Sequence, residues 1–374
     1  MRIAQVAPLA ESVPPKGYGG TERVVSYLTE ELVQRGHDVT LFASGDSTTS
    51  ATLVAPCPQA LRTVRDCVLP EIYYVLMLDQ VMNHASSFDV IHFHIDALHF
   101  PLVRRSGVPY VTTLHGRLDL VDLVPLYRRF TEVPVVSISD AQRKPLPWLN
   151  WQQTIYHGMS KDMFTFHEQH NGYLAFVGRI NPEKRVDRAI EIARRVGMPL
   201  KIGAKVDKTD QAYFDAEIQP LLQQPHVEFL GEVGGDQKEA LLGGAYAVLF
   251  PIDWPEPFGL VMIESFACGT PVIAFRCGSV PEVMRHGVSG FVVDTMEEAV
   301  EAVEQVAGLS RRRCRIYFEE RFSVSRMAQD YLDVYRRLAE EAHNANRKPT
   351  PGDNDMLVPP RERQPIHNRI DPQS

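Results

Sequence analysis

Short apolar runs alternate with helical patterns through most of the chain. Residues 3–7, 39–43 and 90–94 are apolar runs that predict buried strands, and residues 21–35 carry apolar side chains at helical spacing that stop at Gly36. Such alternation is typical of a doubly wound α/β sheet with parallel strands, whose ligands bind at the carboxyl ends of those strands. We therefore predict that residues 1–160 form a Rossmann-like domain.

The same pattern returns in the second half, after a polar stretch at 157–172. Apolar runs at 174–177, 200–202, 247–250 and 272–274 predict further strands, and residues 211–222 predict a helix. We expect a second Rossmann-like domain over 161–325, with a ligand cleft between the two. Residues 326–340 form an amphipathic pattern that predicts a C-terminal helix. The tail at 341–374 is rich in Pro, Asn, Arg and Asp and is predicted to be disordered.

Composition narrows the class of protein. The 374 residues are 44% hydrophobic and 23% charged, as in globular proteins, and the net charge of −8 disfavours a nucleic-acid partner. Five scattered cysteines without a Cys-x-x-Cys pair indicate a reducing compartment and neither a disulfide framework nor a zinc site. No apolar run has the length of a membrane span. A cytoplasmic location is expected, with peripheral contact with a membrane left open.

Residues 254–264, with the sequence WPEPFGLVMIE, are the strongest candidate for a ligand site. The prolines favour an extended loop that holds Glu256, Gly259 permits a close turn, and residues 260–267 suit a buried helix that holds Glu264. The helix N-terminus between the two carboxylates is an anion site by its geometry. A ligand with phosphate and hydroxyl groups, such as a nucleotide-sugar, fits this pattern. The alternative is a rigid turn followed by a solvated glutamate.

Two other loops carry residues suited to phosphate. Gly19 and Gly20 permit close backbone approach, and Thr21 is placed to cap the following helix, but Glu22 replaces the last glycine of a dinucleotide fingerprint. Arg179 and Lys184 follow a predicted strand and are expected to converge on one diphosphate. The plainer interpretations are a flexible glycine loop for the first segment and a solvated charged face for the second.

Histidines form the remaining candidates. His115 follows a strand beside a glycine, which favours hydrogen bonding to a substrate hydroxyl over a structural role. His92, His94 and Asp96 alternate along one strand, a spacing that places them on one face. Because no second His or Asp cluster accompanies them, packing or contact with an acceptor is favoured over a metal site.

Together these segments resemble the retaining family 4 glycosyltransferases, or group 1 glycosyltransferases, of the GT-B fold. The resemblance covers about residues 1–340. It is carried by Glu-x7-Glu at 256–264, ACGTPVI at 267–273, GGTE at 19–22, LHG at 114–116, GRINPEK at 178–184, SVPEV at 279–283 and GVSGFVV at 287–293. The forms WPEPF and LHGRLD resemble the branch named after an avilamycin-pathway enzyme. One departure is HGMS at 157–160, where the family often has Asn-Gly-x-Asp.

The resemblance implies a role for each candidate. Arg179 and Lys184 would neutralise the donor diphosphate, Glu264 would bind the ribose hydroxyls and Glu256 the hydroxyls of the donor sugar. His115 would hydrogen-bond the donor sugar near its anomeric carbon. Backbone groups would contact the phosphates at Gly19, Gly20, Phe258, Gly259 and Leu260.

The implied reaction moves a sugar from a nucleoside diphosphate sugar, UDP- or GDP-linked, to an acceptor hydroxyl with retention. The donor is a co-substrate, and neither a cofactor nor a metal is expected, because fixed cations and helix dipoles stabilise the leaving diphosphate. The acceptor is a glycan, a lipid or a small molecule. A sugar-nucleotide epimerase, a phosphorylase and a non-catalytic binding protein of the same fold remain alternatives. The missing glycine at Glu22 disfavours a nicotinamide oxidoreductase.

Overall fold

A computed structural model describes residues 1–64 and 67–347. The first half forms a seven-stranded sheet of parallel strands in the order β3-β2-β1-β4-β5-β6-β7. Its strands are β1 Arg2–Val6, β2 Asp38–Phe42, β3 Thr52–Val54, β4 Val90–Phe93, β5 Tyr110–Thr113, β6 Val135–Ser137 and β7 Trp151–Thr154. The central strands β1 and β4 are buried on both faces, which explains why they read as continuous apolar runs.

Helices cover both faces of this first sheet. They are α1 Gly20–Gln34, α2 Glu71–Asn83, α3 Phe100–Val103, α4 Leu123–Arg129 and α5 Asp140–Arg143. The longest, α1, packs its apolar stripe, which includes Val24, Leu28 and Leu32, into the core beside β1 and β2. Its first turn therefore lies at the carboxyl edge of the sheet.

The second half forms a six-stranded sheet, also of parallel strands, in the order β10-β9-β8-β11-β12-β13. Its strands are β8 Tyr173–Arg179, β9 Leu200–Lys205, β10 Val227–Gly231, β11 Ala245–Phe250, β12 Val272–Phe275 and β13 Gly290–Val293. Its helices are α6 Val186–Val196, α7 Gln211–Tyr213, α8 Gly235–Gly244, α9 Leu260–Ala267, α10 Val280–Val283, α11 Met296–Gln305 and α12 Arg311–Arg321. The predicted fold of two Rossmann-like domains is confirmed.

The chain crosses between the sheets twice, and the two crossings pair with each other. Met159 donates its backbone N–H to the Phe322 carbonyl at 2.9 Å and accepts from Val324 N–H at 3.0 Å. The chain then enters α13 Val324–Arg347, which returns to pack on the first domain against α1, β4 and β5. The C-terminal helix thus completes the core of the N-terminal half.

Several elements differ from the sequence-based predictions. The C-terminal helix was predicted over 326–340 with disorder from 341, but it continues to Arg347; the remainder of the predicted tail, 348–374, lies outside the described residues. The helix expected at 211–222 is interrupted by a π-helical turn, Phe214–Ile218, and ends before Pro220.

Other elements were not predicted at all. The short strand β3 and the helices α4, α11 and α12 were not predicted. Helix α4 has only seven residues and contains a proline, α12 is rich in basic residues, and α11 has small apolar residues on its buried face. In the described part of the chain, none of the helices combines the length and apolarity needed to cross a bilayer.

Candidate functional site

A cleft of about 650 Å³ lies between the carboxyl edges of the two sheets. The walls are joined by polar contacts such as Tyr18 N–H to Glu232 Oε1 at 2.9 Å and Arg117 Nη1 to Glu183 Oε1 at 2.5 Å. The fold brings together the residues to which the resemblance gives a role with the donor, and all of them line this cleft: Gly19, Gly20, His115, Arg179, Lys184, Glu256, Phe258, Gly259, Leu260 and Glu264.

Three helices begin at the cleft with glycine as the N-cap residue. The N-caps are Gly19 for α1, Gly234 for α8 and Gly259 for α9, and none of the three helices has a side-chain capping hydrogen bond. The prediction that Thr21 caps α1 is wrong, because the helix starts one residue earlier and Thr21 lies within its first turn. Three uncapped N-termini direct backbone N–H groups and positive dipole ends into one cavity, which suits a polyanion.

Glu256 is held in the loop before α9 by two donors. Lys184 Nζ donates to Glu256 Oε2 in a short ion pair, and Trp254 Nε1 donates to the same oxygen at 3.0 Å. The ammonium of Lys184 also lies over the Trp254 ring, 4.9 Å from its centroid, and its own backbone N–H is fixed by Asn181 Oδ1 at 3.0 Å. The carboxylate and the ammonium are thereby positioned as one unit.

Gly278, which lies outside the motif, allows its backbone to pack closely against the loop that holds Glu256. Gly278 has φ +54°, and a Cβ there would lie 2.4 Å from both the backbone N and the backbone O of Glu256. The close approach lets Ser279 donate its N–H to the Glu256 carbonyl at 2.9 Å and its hydroxyl to the Phe258 carbonyl at 2.9 Å. The loop from Glu256 to Phe258 is therefore packed against a second backbone segment that admits no side chain at Gly278.

Glu264 lies one turn into α9 and is almost completely buried, with 1% of its surface exposed. Its nearest cation is Lys238 of α8, with Nζ at 2.5 Å from Oε2. That oxygen nevertheless has no hydrogen-bond partner of suitable geometry among the described residues. Oε2 is thus buried and paired with the Lys238 ammonium, and the carboxylate is an acceptor group on the wall of the cleft.

Arg179, at the end of β8, does not meet Lys184. Its guanidinium faces two acids from the segment after β9, with Nη1 at 3.4 Å from Asp207 and Nε at 3.7 Å from Asp210. Both cations line the cleft, but each has its own carboxylate partner. Their convergence on one diphosphate stays a prediction.

His115 is at the end of a buried hydrogen-bond chain that starts on α13. The Tyr335 hydroxyl accepts from Gln5 Nε2 at 3.1 Å, Gln5 Oε1 lies 2.9 Å from His94 Nε2, and His94 Nδ1 lies 2.9 Å from His115 Nε2. Burial lowers the pKa of His115 to about 3 and the pKa of His94 well below its usual value. Both rings are thus neutral at physiological pH.

Neutrality fixes which nitrogens carry protons. With the Gln5 amide oriented as described, His94 donates from Nε2 and must accept at Nδ1, so His115 donates from Nε2. The Nδ1 atom of His115 is then unprotonated, and it has no hydrogen-bond partner among the described residues. The ring of His115 lines the cleft, whereas this nitrogen has almost no exposed surface.

His157, in the segment that departs from the family pattern, also belongs to the cleft. Its ring stacks on His115 with centroids 5.4 Å apart and an interplanar angle of 16°, and it packs edge-on against Phe258. The next residue, Gly158, has room for no side chain, because a Cβ would lie 2.4 Å from the Ser323 carbonyl. The departure at 157–160 therefore supplies an aromatic wall where the two crossings pair.

The His92, His94 and Asp96 series does not converge on one point. Both ring nitrogens of His92 have hydrogen-bond partners in the core: Nδ1 lies 2.6 Å from the Tyr335 hydroxyl and Nε2 lies 2.7 Å from Thr113 Oγ1. Within residues 1–64 and 67–347 there is no group of three His, Cys, Asp or Glu side chains arranged to hold a metal ion. Packing accounts for His92, whereas His94 and Asp96 face a smaller cavity beside the cleft.

Sequence reasoning missed Lys238, Gly278 and the part that His157 plays. The sequence contains a signal for Lys238: the Gly234-Gly235 pair at the start of α8 repeats the Gly19-Gly20 pair at the start of α1. For Gly278 none existed, since only the folded backbone shows what it touches.

The chain matches two family models. The model described as glycosyl transferases group 1 matches residues 162–319, and the model described as glycosyltransferase family 4 matches residues 18–155. Between them they cover both walls of the cleft.

Individual relatives agree with these models. A phosphatidyl-myo-inositol mannosyltransferase of Mycobacterium leprae is 25% identical over 91% of this chain and 97% of its own length. Among solved structures, AviGT4, a glycosyltransferase involved in avilamycin A biosynthesis, aligns with a TM-score of 0.70 at 24% identity over 91% of this chain and 98% of its own. HepE of Anabaena, in complex with UDP and glucose, aligns with a TM-score of 0.70 at 17% identity over 90% and 100%. At these identities the solved structures establish the fold.

Proposed function

Because the chain belongs to the group 1, family 4 glycosyltransferases, an enzyme family that transfers sugar from nucleotide-sugars, we propose that it does so with retention and without a metal ion. The observation that carries the proposal is the cleft's electrostatics. Three uncapped helix N-termini surround it together with Arg179, Lys184 and Lys238. Such fixed positive groups stabilise a leaving diphosphate without a divalent cation.

Each part of the donor has a proposed partner. The diphosphate lies against the N-termini of α1 and α9, at Gly20 and at Gly259 to Leu260, with Arg179 and Lys184 beside it. The ribose hydroxyls donate to the Glu264 carboxylate, which lines the cleft beside Lys238. The hydroxyls of the sugar contact Glu256. HepE is described in complex with UDP and glucose, which supports a UDP-linked donor, with a GDP-linked donor as the other choice.

We infer a same-face displacement. The bond between the anomeric carbon and the diphosphate oxygen breaks, with its electron pair leaving on the diphosphate, and the acceptor oxygen bonds to the same face of the sugar. The acceptor's proton passes to the leaving phosphate oxygen. In this scheme Glu256, whose Oε2 is held by Lys184 and Trp254, contacts the hydroxyls of the sugar and forms no bond to the anomeric carbon. His115, which lines the cleft, hydrogen-bonds the donor sugar beside the reacting carbon.

A donor screen tests the proposal. UDP-, GDP- and ADP-sugars are compared for thermal stabilisation of the protein and for release of free nucleoside diphosphate, with and without EDTA. One donor should stabilise the fold by about 2.7 kcal/mol at one hundred times its Kd, and EDTA should leave its turnover unchanged. Loss of turnover in EDTA that returns with added Mg²⁺ or Mn²⁺ would overturn metal independence. NMR of the product's anomeric configuration decides retention.

The same screen separates the enzyme from its alternatives. An epimerase would convert the donor sugar without an acceptor, and a binding protein would be stabilised without releasing nucleoside diphosphate. A transferase forms a new glycosidic product only when an acceptor is supplied.

A further inference from the structure

The carboxylate of Glu282 joins the two domains. Glu282 lies in α10 of the C-terminal domain, within the SVPEV segment at 279–283, which has no role with the donor so far. Its Oε2 accepts the Asp140 backbone N–H at 2.7 Å, and its Oε1 accepts the Ala141 backbone N–H at 2.6 Å. Both donors belong to α5, in the N-terminal domain. One carboxylate thus bridges the domain boundary with both of its oxygens.

These hydrogen bonds complete the start of α5. The first N–H groups of a helix have no acceptor within the helix, so their acceptors come from outside it. The Ser139 hydroxyl accepts the Gln142 N–H at 3.1 Å, and Glu282 accepts the two N–H groups before it. Hydrogen bonds to a carboxylate are shorter and stronger than those between neutral groups. The first turn of α5 is therefore held in place by a residue of the other domain.

Helix α5 in turn holds the loop that carries His115. Gln142, its third residue, is buried, and its Nε2 donates to the carbonyls of Leu114 and Gly116, both at 2.8 Å. Its Oε1 accepts the Ile138 N–H at 3.0 Å, which fixes the orientation of the amide. Since Leu114 and Gly116 lie on either side of His115, the backbone around this histidine depends on the position of α5.

On the other side of the boundary, Glu282 belongs to the turn that supports the donor loop. Its backbone N–H donates to the Ser279 carbonyl at 2.9 Å. Ser279 itself donates to the carbonyls of Glu256 and Phe258, as described for the loop before α9. Hydrogen bonds therefore connect the loop of Glu256 with the loop of His115, and Glu282 carries the connection from one domain to the other.

A second contact between the two domains is of a different kind. Arg117 Nη1 lies 2.5 Å from Glu183 Oε1, but the two side chains are 32% and 35% exposed. Such ion pairs constrain geometry weakly, because long solvated side chains lose entropy on pairing and salt screens them. Glu282 is half-buried and binds backbone groups, which cannot rotate away as a side chain can. It is the stiffer of the two contacts.

We propose that Glu282 is a positioning residue for glycosyl transfer, which sets the position of His115 relative to the donor loop that holds Glu256. Glu282 does not line the cleft and acts through α5 on one side and through Ser279 on the other. Small displacements of reacting groups slow a chemical step strongly. This role rests on the proposed glycosyl transfer and adds to it a residue outside the cleft.

Steady-state kinetics of Glu282→Ala with the preferred donor tests this role. The kcat should fall about tenfold, because His115 and the donor loop are no longer held in register. The donor KM should change less than about twofold, since the charged partners Arg179, Lys184 and Glu264 lie within one domain. Glu282→Gln keeps one carbonyl oxygen at the same reach and should recover part of the lost kcat.

Glu298→Ala is the matched control. Glu298 also accepts a backbone N–H, from Asp294 at 2.7 Å, but both residues lie in the C-terminal domain and outside the cleft. This variant loses a hydrogen bond of the same type and should keep the wild-type kcat.

A double-mutant cycle separates positioning from general destabilisation. Gln142→Ala should also lower kcat, and the double variant with Glu282→Ala should be no slower than the slower single variant, because both changes act on His115 through α5. Losses of kcat that multiply would overturn the proposed path.

Hydrogen–deuterium exchange tests the contact without a donor. In Glu282→Ala, exchange at Asp140 and Ala141 should accelerate about tenfold or more, and residues 112–117 should lose protection. Residues 294–298 should exchange as in wild type.

The two measurements keep the proposals apart. If the donor is turned over and Glu282→Ala has a normal kcat, or if exchange at 112–117 is unchanged, the assignment of Glu282 fails alone. If wild type turns over no donor but Glu282→Ala loses protection at 112–117, the proposed function fails and the positioning of the His115 loop by Glu282 survives.

Discussion

The two walls of the cleft solve different chemical problems. The C-terminal wall is charged, with Lys184 paired to Glu256 and Lys238 next to Glu264. The N-terminal wall carries Glu22, Arg23 and Arg62, but around His115 it presents glycine backbone and neutral imidazoles, because burial lowers the pKa of His115 and of His94 behind it. A diphosphate and a ribose require charges and carboxylates, whereas a reacting sugar requires oriented, uncharged hydrogen-bonding groups.

The two walls also differ in the contacts that position their functional groups. On the charged wall, ion pairs and a cation–π contact position the functional groups locally. On the neutral wall, His115 depends on a chain of hydrogen bonds that reaches Tyr335, a residue 220 positions later in the sequence, on a helix that enters from the C-terminal half. Damage to the first wall should therefore reduce donor chemistry directly, and damage to the second should act through positioning.

The largest effect is expected from removing a charge on the C-terminal wall. Lys184→Ala should lower glycosyl transfer about 100-fold, because the leaving diphosphate loses a fixed cation. Steady-state kinetics with the preferred donor measures the loss. Lys201→Ala, which removes an ion pair with Glu228 outside the cleft, should retain normal turnover. Near-normal turnover in Lys184→Ala would contradict the charged role of this wall.

A change in backbone on the same wall should be next in size. Gly278→Ala should destabilise the fold by about 2 kcal/mol and weaken donor binding, because its Cβ would collide with the backbone of Glu256. Gly287→Ala is the matched control. It has a similar φ of +74° but open space around its Cβ, so it carries the backbone strain alone. Equal melting temperatures for the two variants would show that the close approach has no energetic weight.

The neutral wall predicts an acid-sensitive fold. Because the pKa values of His92, His94, His115 and His157 are lowered by burial, the unfolded chain binds more protons than the folded one below about pH 6.5. Stability should therefore fall as the pH drops from 6.5, by about 1.4 kcal/mol per pH unit for each such ring. Denaturant unfolding at pH 7 and pH 5 measures this slope, and His94→Gln should reduce it. A stability independent of pH over that range would contradict neutral burial.

Tyr335→Phe removes one hydroxyl and so tests the hydrogen bonds that connect Tyr335 to His115. Removal of the hydroxyl leaves Gln5 Nε2 and His92 Nδ1 without their partner, which should cost about 1–2 kcal/mol of stability. We expect a several-fold lower kcat with an unchanged donor KM, because His115 is oriented less well while the charged wall is intact. Tyr331→Phe, which loses a bond to Thr113 but does not touch Gln5, separates positioning from packing. If both variants lower kcat equally, the effect is structural.

The smallest expected effect is on stability at Asp96, in the small cavity beside the cleft. Since burial raises the pKa of Asp96, its ionisation disfavours the folded state as the pH rises above the carboxyl's unfolded value of 3.8. Asp96→Asn should therefore melt slightly higher than wild type at pH 7, and the difference should shrink towards pH 4. A lower melting temperature at pH 7 would indicate that the carboxylate has a stabilising partner.

Much of the molecule was readable from the sequence. Alternating strand and helix patterns predicted two sheets of parallel strands, because strands covered on both faces must be apolar throughout. Several residues assigned to the site lie at or just after strand ends, such as Arg179 at the end of β8 and His115 after β5, and the strand ends of a parallel sheet share one edge. The roles given to those residues are predictions.

The sequence by itself determined the fold and the residue types that face the cleft, because hydrophobic period and loop position are local properties of the chain. Only the tertiary structure decided which groups meet. It paired Arg179 with Asp207 and Asp210, whereas Lys184 pairs with Glu256. It also brought Lys238 to Glu264 and packed Gly278 against the backbone of Glu256. Hydrogen bonds through Gln5 and His94 connect Tyr335 to His115. These contacts depend on how two sheets and a returning helix pack together, and no periodicity within a segment encodes them.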